Sequence, residues 1–111
     1  MKAVLDTHPL IVFFKDEKGA EDVKRILDGV EMGEIEGLVS TLTLSEIFYI
    51  LARYRDVDFA KTVLKYIEVN LRSAAVSEGI AEKGGEFKFT YTGGLPLADA
   101  IIAATAFEEK A

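Results

Sequence analysis

The first residues of the chain limit its fold more than any other stretch. The run Ala3–Leu5 is apolar and stops at Asp6, and a His8–Pro9 break follows. A run this short, bounded by polar and helix-breaking residues, predicts a buried strand. In an open parallel sheet, ligands bind beyond the carboxyl ends of the strands, which is where Asp6 would lie. The alternative for Asp6 is a helix cap, because its side chain accepts hydrogen bonds from free N–H groups.

The rest of the chain alternates amphipathic helices with short apolar runs, which indicates an α/β fold with short parallel strands. Two strands alone do not make a stable sheet, so either a further strand escapes the pattern or the sheet continues beyond Ala111. One helix is expected to fade at Gly84–Gly85. The alternating segment Phe87–Thr92 suits a strand by pattern alone, but a helix extension or a loop is expected. The second strand is predicted over Ile35–Ser40. Helical spacing predicts helices over Pro9–Phe14, Ala20–Gly33, about twelve residues after a Thr43–Glu46 capping box, Asp58–Leu71, Ala74–Glu86 and Leu97–Lys110.

Length and composition exclude several classes of protein. At 111 residues the chain is expected to form a single domain over residues 1–111. The absence of cysteine excludes disulfides and thiolate metal sites, and no apolar run approaches the ~20 residues that span a bilayer. No signal peptide is visible, so a cytoplasmic location without membrane contact is expected. The net charge of −6 argues against binding to nucleic acid through a general basic surface.

Three acids are predicted at comparable places near the ends of core elements. Asp6 ends the first strand, Glu46 lies in the first turn of the helix after the second strand, and Asp99 lies in the first turn of an apolar helix. Each has a local alternative, as a helix cap, a capping-box partner of Thr43 or a complement to the helix dipole. Acids that meet among buried elements repel one another unless a cation is present, and oxygen-only ligands favour Mg²⁺ or Mn²⁺.

With these positions in place, the chain resembles the PIN-domain proteins that serve as toxin nucleases in VapBC toxin–antitoxin pairs. The segments that carry the resemblance are Val4–Thr7, Val39–Ile47 and Leu95–Ala106. They run from the first strand to the last helix. The third segment is the most specific, because an aspartate followed by small and β-branched residues on a buried helix is unusual.

The resemblance implies a PIN-like (Rossmann-like) three-layer α/β/α fold with a parallel sheet and a metal-dependent ribonuclease site. The acids that match the family's metal ligands and catalytic residues are Asp6, Glu46 and Asp99, and Thr7 matches a hydroxyl position that supports them. The implied cofactor is Mg²⁺ or Mn²⁺, which would activate water for attack on an RNA phosphodiester. The implied partners are an RNA substrate and a cognate antitoxin protein.

The resemblance also has a departure. The family ordinarily continues with an apolar strand that leads to a fourth acid, whereas the printed sequence ends at Glu108–Ala111. The sequence is therefore expected either to be a C-terminally truncated form or to belong to a member without that strand. An exposed sheet edge would favour association, so a homodimer is expected. The alternative to a ribonuclease is a degenerate or truncated PIN domain that acts as a non-catalytic protein-interaction module.

The remaining polar and aromatic candidates each have two interpretations. Arg53 and Arg55 are candidate RNA-binding residues, although cations at a helix C-terminus also complement the dipole. His8 is a candidate ligand or base, with local packing beside Pro9 as the alternative. The aromatic residues that could stack on bases, or could instead pack or form a subunit interface, are Tyr49, Phe87, Phe89 and Tyr91.

Overall fold

Three short strands and six helices make up the chain. The computed structural model describes every residue from Met1 to Ala111. The strands are β1 (Lys2–Val4), β2 (Glu36–Ser40) and β3 (Arg72–Ala74). The helices are α1 (Thr7–Phe14), α2 (Ala20–Glu31), α3 (Thr41–Tyr54), α4 (Val57–Asn70), α5 (Glu78–Thr90) and α6 (Leu97–Glu109). None of the helices has the length and apolar character needed to cross a membrane.

The strands form one parallel sheet in the order β1-β2-β3. Val4 pairs with Leu38, and the N–H of Leu5 continues the ladder by donating to the Leu38 carbonyl at 2.8 Å. Ser40, at the end of β2, pairs with Ala74 at the end of β3. All three strands therefore end at the same edge of the sheet, where α1, α3 and the segment before α5 begin.

The two faces of β2 belong to different parts of the core. Successive side chains of a strand point to opposite faces. Val39 is fully buried in a cluster that contains Leu5, just after β1, and residues of α1, α2, α3 and α4. Its neighbour Leu38 is fully buried outside that cluster. Helices α5 and α6 pack on each other, and α6 packs against β1. The result is the three-layer α/β/α fold that the sequence resemblance implied.

Strand β3 is the further strand expected to escape the hydrophobic pattern, one of the two alternatives that the sequence left open. It escapes because Arg72–Ala74 contains no apolar run and only Ala74 is buried. The pairing of β3 with β2 is what makes it a strand. The predicted capping box at Thr43 was wrong, because α3 already begins at Thr41 and the Ser40 side chain caps it by accepting from the N–H of Leu42 at 3.2 Å.

Helix α5 continues through the two glycines at which it was expected to fade. The helix reaches Thr90, so Phe87–Thr90 is a helix extension, one of the two forms expected for this segment. Gly84 is buried, and a Cβ atom there would lie 2.9 Å from Cγ1 and 3.2 Å from Cα of Ile101 on α6. Gly84 is thus explained by the close approach of α5 to α6, which the one-dimensional pattern does not reveal.

Replacement of Gly84 by alanine is expected to destabilise the protein by about 1–3 kcal/mol, because the added methyl group overpacks the contact with Ile101. Gly85 is the matched control, since nothing lies within 4 Å of a Cβ at that position. Gly85→Ala should stabilise by about 0.5–1 kcal/mol through helix propensity. Urea unfolding of the two variants measures both effects, and equal stabilisation by both would contradict the close approach.

Candidate functional site

Asp6 lies at the carboxyl edge of the sheet. Continuing the β1–β2 register beyond Val4 places Asp6 level with Ser40, the last residue of β2. Asp6 is the N-cap of α1, and its Oδ1 accepts a hydrogen bond of 2.7 Å from the N–H of Thr7. No protein donor contacts the other oxygen, Oδ2. The capping interpretation is therefore correct, and it leaves one half-buried carboxylate oxygen available to a ligand.

Glu46 is joined to Asp6 through Thr7. The Thr7 hydroxyl donates to Oε1 of Glu46 at 2.7 Å. Glu46 is half-buried and lies in the second turn of α3, not in the first turn as predicted, because the helix already begins at Thr41. The bond from Thr7 is the one protein hydrogen bond that its carboxylate makes. Thr7 itself is buried. Its backbone N–H donates to one oxygen of Asp6, and its hydroxyl donates to one oxygen of Glu46. The structure thus brings Asp6, Thr7 and Glu46 together.

Asp99 occupies the predicted place in its helix. It lies in the first turn of α6, which packs against β1, and its side chain is exposed. No three acid or histidine side chains stand close enough together to hold a metal ion. The convergence of Asp99 with Asp6 and Glu46 on one site therefore stays a prediction.

The three acids form no ion pair with a protein cation. None of the six ion pairs of the protein includes Asp6, Glu46 or Asp99. The nearest histidine in sequence, His8, is exposed on the first turn of α1. Carboxylates without a cationic partner and with free oxygens are a donor set of hard oxygen atoms, which fits Mg²⁺ or Mn²⁺ better than zinc.

Glu109 and Tyr66 have displaced pKa values. The Arg72 guanidinium donates to Glu109 at 2.8 Å and so lowers the pKa of that carboxyl group. These two residues connect the amino-terminal end of β3 to the end of α6, at the opposite end of β3 from the Ala74 edge. Burial raises the pKa of Tyr66 to about 12, helped by its hydrogen bond to Glu31. Both contacts are structural.

Arg53 and Arg55 lie at the C-terminal end of α3, the helix that carries Glu46. Both are exposed and neither forms an ion pair. Arg53 lies over the ring of Tyr49 at 5.3 Å, and Arg55 lies over the ring of Phe59 at 4.7 Å. The structure therefore leaves their charges free for a phosphate, as well as for the helix dipole.

The aromatic candidates divide into packed and exposed side chains. Phe87 packs edge-on against Phe107, with ring centroids 6.0 Å apart. Phe89 is 89 % exposed, and Tyr49 and Tyr91 are also exposed. Phe87 also lines an apolar groove between α5 and α6 with a volume of about 430 Å³.

Sequence reasoning missed the place of Thr43 in this site. Thr43 is fully buried, and its hydroxyl oxygen lies 3.1 Å from that of Thr7. A usable signal exists in the sequence, because Thr43 and Glu46 are three residues apart and so share a face of one helix. That spacing was interpreted as a local cap, although it places both side chains towards the end of β1.

Comparisons with known proteins extend over nearly the whole chain. The family model of the PIN domain matches residues 3–111. No curated protein matches the sequence. Among solved structures, a toxin–antitoxin complex from Klebsiella pneumoniae is similar at 27% identity and a TM-score of 0.72, with 97% of this chain and 80% of that chain covered.

Two further structures share the fold at lower identity. VapC20 of Mycobacterium tuberculosis, described as a toxin that cleaves the sarcin–ricin loop, has a TM-score of 0.78 at 14% identity, over 99% of this chain and 84% of its own. VapBC2 of Rickettsia felis, bound to a DNA fragment from its promoter, has a TM-score of 0.73 at 19% identity, over 100% of this chain and 84% of its own. The match over residues 3–111 and the common architecture lead to one conclusion: the chain belongs to the PIN domain family.

Proposed function

We propose that this protein is a Mg²⁺- or Mn²⁺-dependent endoribonuclease, the toxin of a toxin–antitoxin pair, with Asp6, Glu46 and Asp99 as its metal ligands and catalytic residues. The observation that carries the proposal is the Asp6–Thr7–Glu46 arrangement at the carboxyl edge of the sheet. It holds two carboxylates without a protein cation, and such half-buried charge needs a compensating partner. Family membership and the toxin relatives support the same function.

Each residue of the site has a separate task in this proposal. The N–H of Thr7 fixes Oδ1 of Asp6 and the hydroxyl of Thr7 fixes Oε1 of Glu46, so the second oxygen of each acid is left for a cation. Asp99 supplies a third carboxylate from the first turn of α6. When bound, a divalent cation supplies an activated water and stabilises charge at the scissile phosphate.

The proposed partners follow from charge and from the relatives. A chain with a net charge of −6 needs local cations to hold RNA, and we assign this task to Arg53 and Arg55, which have no acidic partner. The Klebsiella relative is a complex of toxin and antitoxin, which supports a cognate antitoxin as the protein partner here. A homodimer in the cytoplasm completes the proposal.

Removal of divalent metal is expected to abolish RNA cleavage by the purified protein, because the carboxylates alone cannot activate water at neutral pH. The measurement is cleavage of a fluorescent single-stranded RNA in EDTA, followed by addition of Mn²⁺ or Mg²⁺ in excess. Restored cleavage is the expected result. Cleavage that continues in EDTA would contradict the metal-dependent mechanism and indicate a different nuclease.

The alternative function is a non-catalytic PIN module that binds another protein. The observation in its favour is that no three acids stand close enough together to hold a metal. Calorimetric titration with Mn²⁺ separates the two functions. Binding in the millimolar range or tighter that disappears in Asp99→Asn supports the nuclease, whereas the absence of binding to the unmodified protein supports the module.

A further inference from the structure

We propose that Thr43 is a positioning residue for the nuclease site, which orients Glu46 through the hydroxyl group of Thr7. The inference rests on the proposed function for its catalytic consequences. Its structural basis is a chain of three side chains from three places in the fold: Thr43 in α3, Thr7 at the start of α1, and Glu46 one turn further along α3.

Proton counting fixes the direction of this chain. A threonine hydroxyl has one proton to donate, and a carboxylate only accepts. The 2.7 Å contact between Thr7 and Glu46 therefore uses the Thr7 proton. The 3.1 Å contact between the two hydroxyl groups must then use the proton of Thr43. Thr43 thus donates to Thr7, and Thr7 donates to Glu46.

Thr43 uses its hydroxyl differently from other helical threonines of this protein. The hydroxyl groups of Thr62, Thr90 and Thr105 donate to the carbonyl four residues back in their own helices. For Thr43 that residue is Val39, which lies in β2. Its fully buried hydroxyl has Thr7 as its one side-chain partner. The hydroxyl is therefore directed to the site and does not serve the helix.

The orientation of Glu46 depends on this chain. The bond from Thr7 is the one protein hydrogen bond of the Glu46 carboxylate. With Thr43 in place, the Thr7 oxygen is occupied as an acceptor, its proton is directed at Glu46, and successive bonds strengthen one another. Without the Thr43 hydroxyl, Thr7 keeps its bond to Glu46 but loses the donor that holds its own oxygen, so the Glu46 carboxylate is less tightly oriented.

Three variants test the proposal. Thr43→Val keeps the shape and removes the hydroxyl, and Thr43→Ser keeps the hydroxyl. Thr105→Val is the matched control, because Thr105 is equally buried but donates to the Ile101 carbonyl in α6. In the metal-free protein, the carboxyl ¹³C signal of Glu46 is expected to shift in Thr43→Val and to stay in place in Thr43→Ser and Thr105→Val.

The kinetic expectation matches the usual effect of residues that orient metal ligands. Thr43→Val should lower kcat by about ten- to hundredfold with KM unchanged, and Thr43→Ser should restore most of it. Identical Glu46 signals and kcat values in Thr43→Val and the unmodified protein would overturn the proposal and leave Thr43 a packing residue. If the unmodified protein cuts no RNA, the proposed function fails, and the ¹³C signal alone decides whether Thr43 positions Glu46.

Discussion

Replacement of Asp6 by asparagine is expected to lower the rate of Mn²⁺-dependent RNA cleavage by about a hundredfold or more, because a bound metal ion contributes several kcal/mol to stabilising the transition state. Asparagine lacks the charge that balances a divalent cation. It keeps the oxygen that accepts from the N–H of Thr7, and asparagine and aspartate are about equally good N-caps. The substitution therefore tests the site with little effect on the start of α1.

The matched control is Glu34→Gln. Glu34 is an exposed acid after α2 that makes no side-chain hydrogen bond or ion pair, so its replacement changes the net charge equally and leaves the site unchanged. Thermal unfolding should give both variants a free energy of unfolding within about 0.5 kcal/mol of that of the unmodified protein, because asparagine retains the cap of α1 in Asp6→Asn. Equal activity of folded Asp6→Asn and Glu34→Gln would remove Asp6 from the proposed catalytic residues.

Local pattern was sufficient for the elements that enter the site. The end of the first strand shortly before Asp6 and the position of Asp99 in the first turn of α6 both follow from apolar runs and helix-start signals. Such signals operate within a few residues of the chain. They place an acid on an element, but they do not determine how far its carboxylate lies from one on another element.

The features that the sequence did not reveal depend on contacts between distant segments. Strand β3 exists because the edge of β2 pairs with it, and Gly84 is explained by Ile101 on a neighbouring helix. Thr43 was assigned to a local cap since the three-residue spacing to Glu46 suits one. Its actual partner, Thr7, is 36 residues away. A partner at that separation is fixed by the packing of α1 against α3.

The second large effect is expected in a double-mutant cycle of Thr7 and Thr43. Thr7→Val removes the partner of the Thr43 hydroxyl, and leaving this fully buried group unpaired should cost about 1–3 kcal/mol of stability. Thr43→Val alone should cost less, because Thr7 keeps its bond to Glu46. In the double variant no unpaired Thr43 hydroxyl remains, so stability should recover most of the loss caused by Thr7→Val.

Activity should behave differently from stability in the same cycle. Both variants that lack the Thr7 hydroxyl leave Glu46 without its donor, so RNA cleavage should stay about ten- to hundredfold below the unmodified protein even where stability is regained. Urea unfolding measures the stability of each variant, and the initial rate of RNA cleavage measures its activity. Strictly additive losses of stability would show that the two hydroxyl groups do not interact, and a double variant that regains activity would show that Glu46 needs neither of them. Stability and activity are expected to separate because any side chain of the right shape satisfies the packing at positions 7 and 43. The orientation of Glu46, in contrast, depends on the one hydrogen bond that the Thr7 hydroxyl donates.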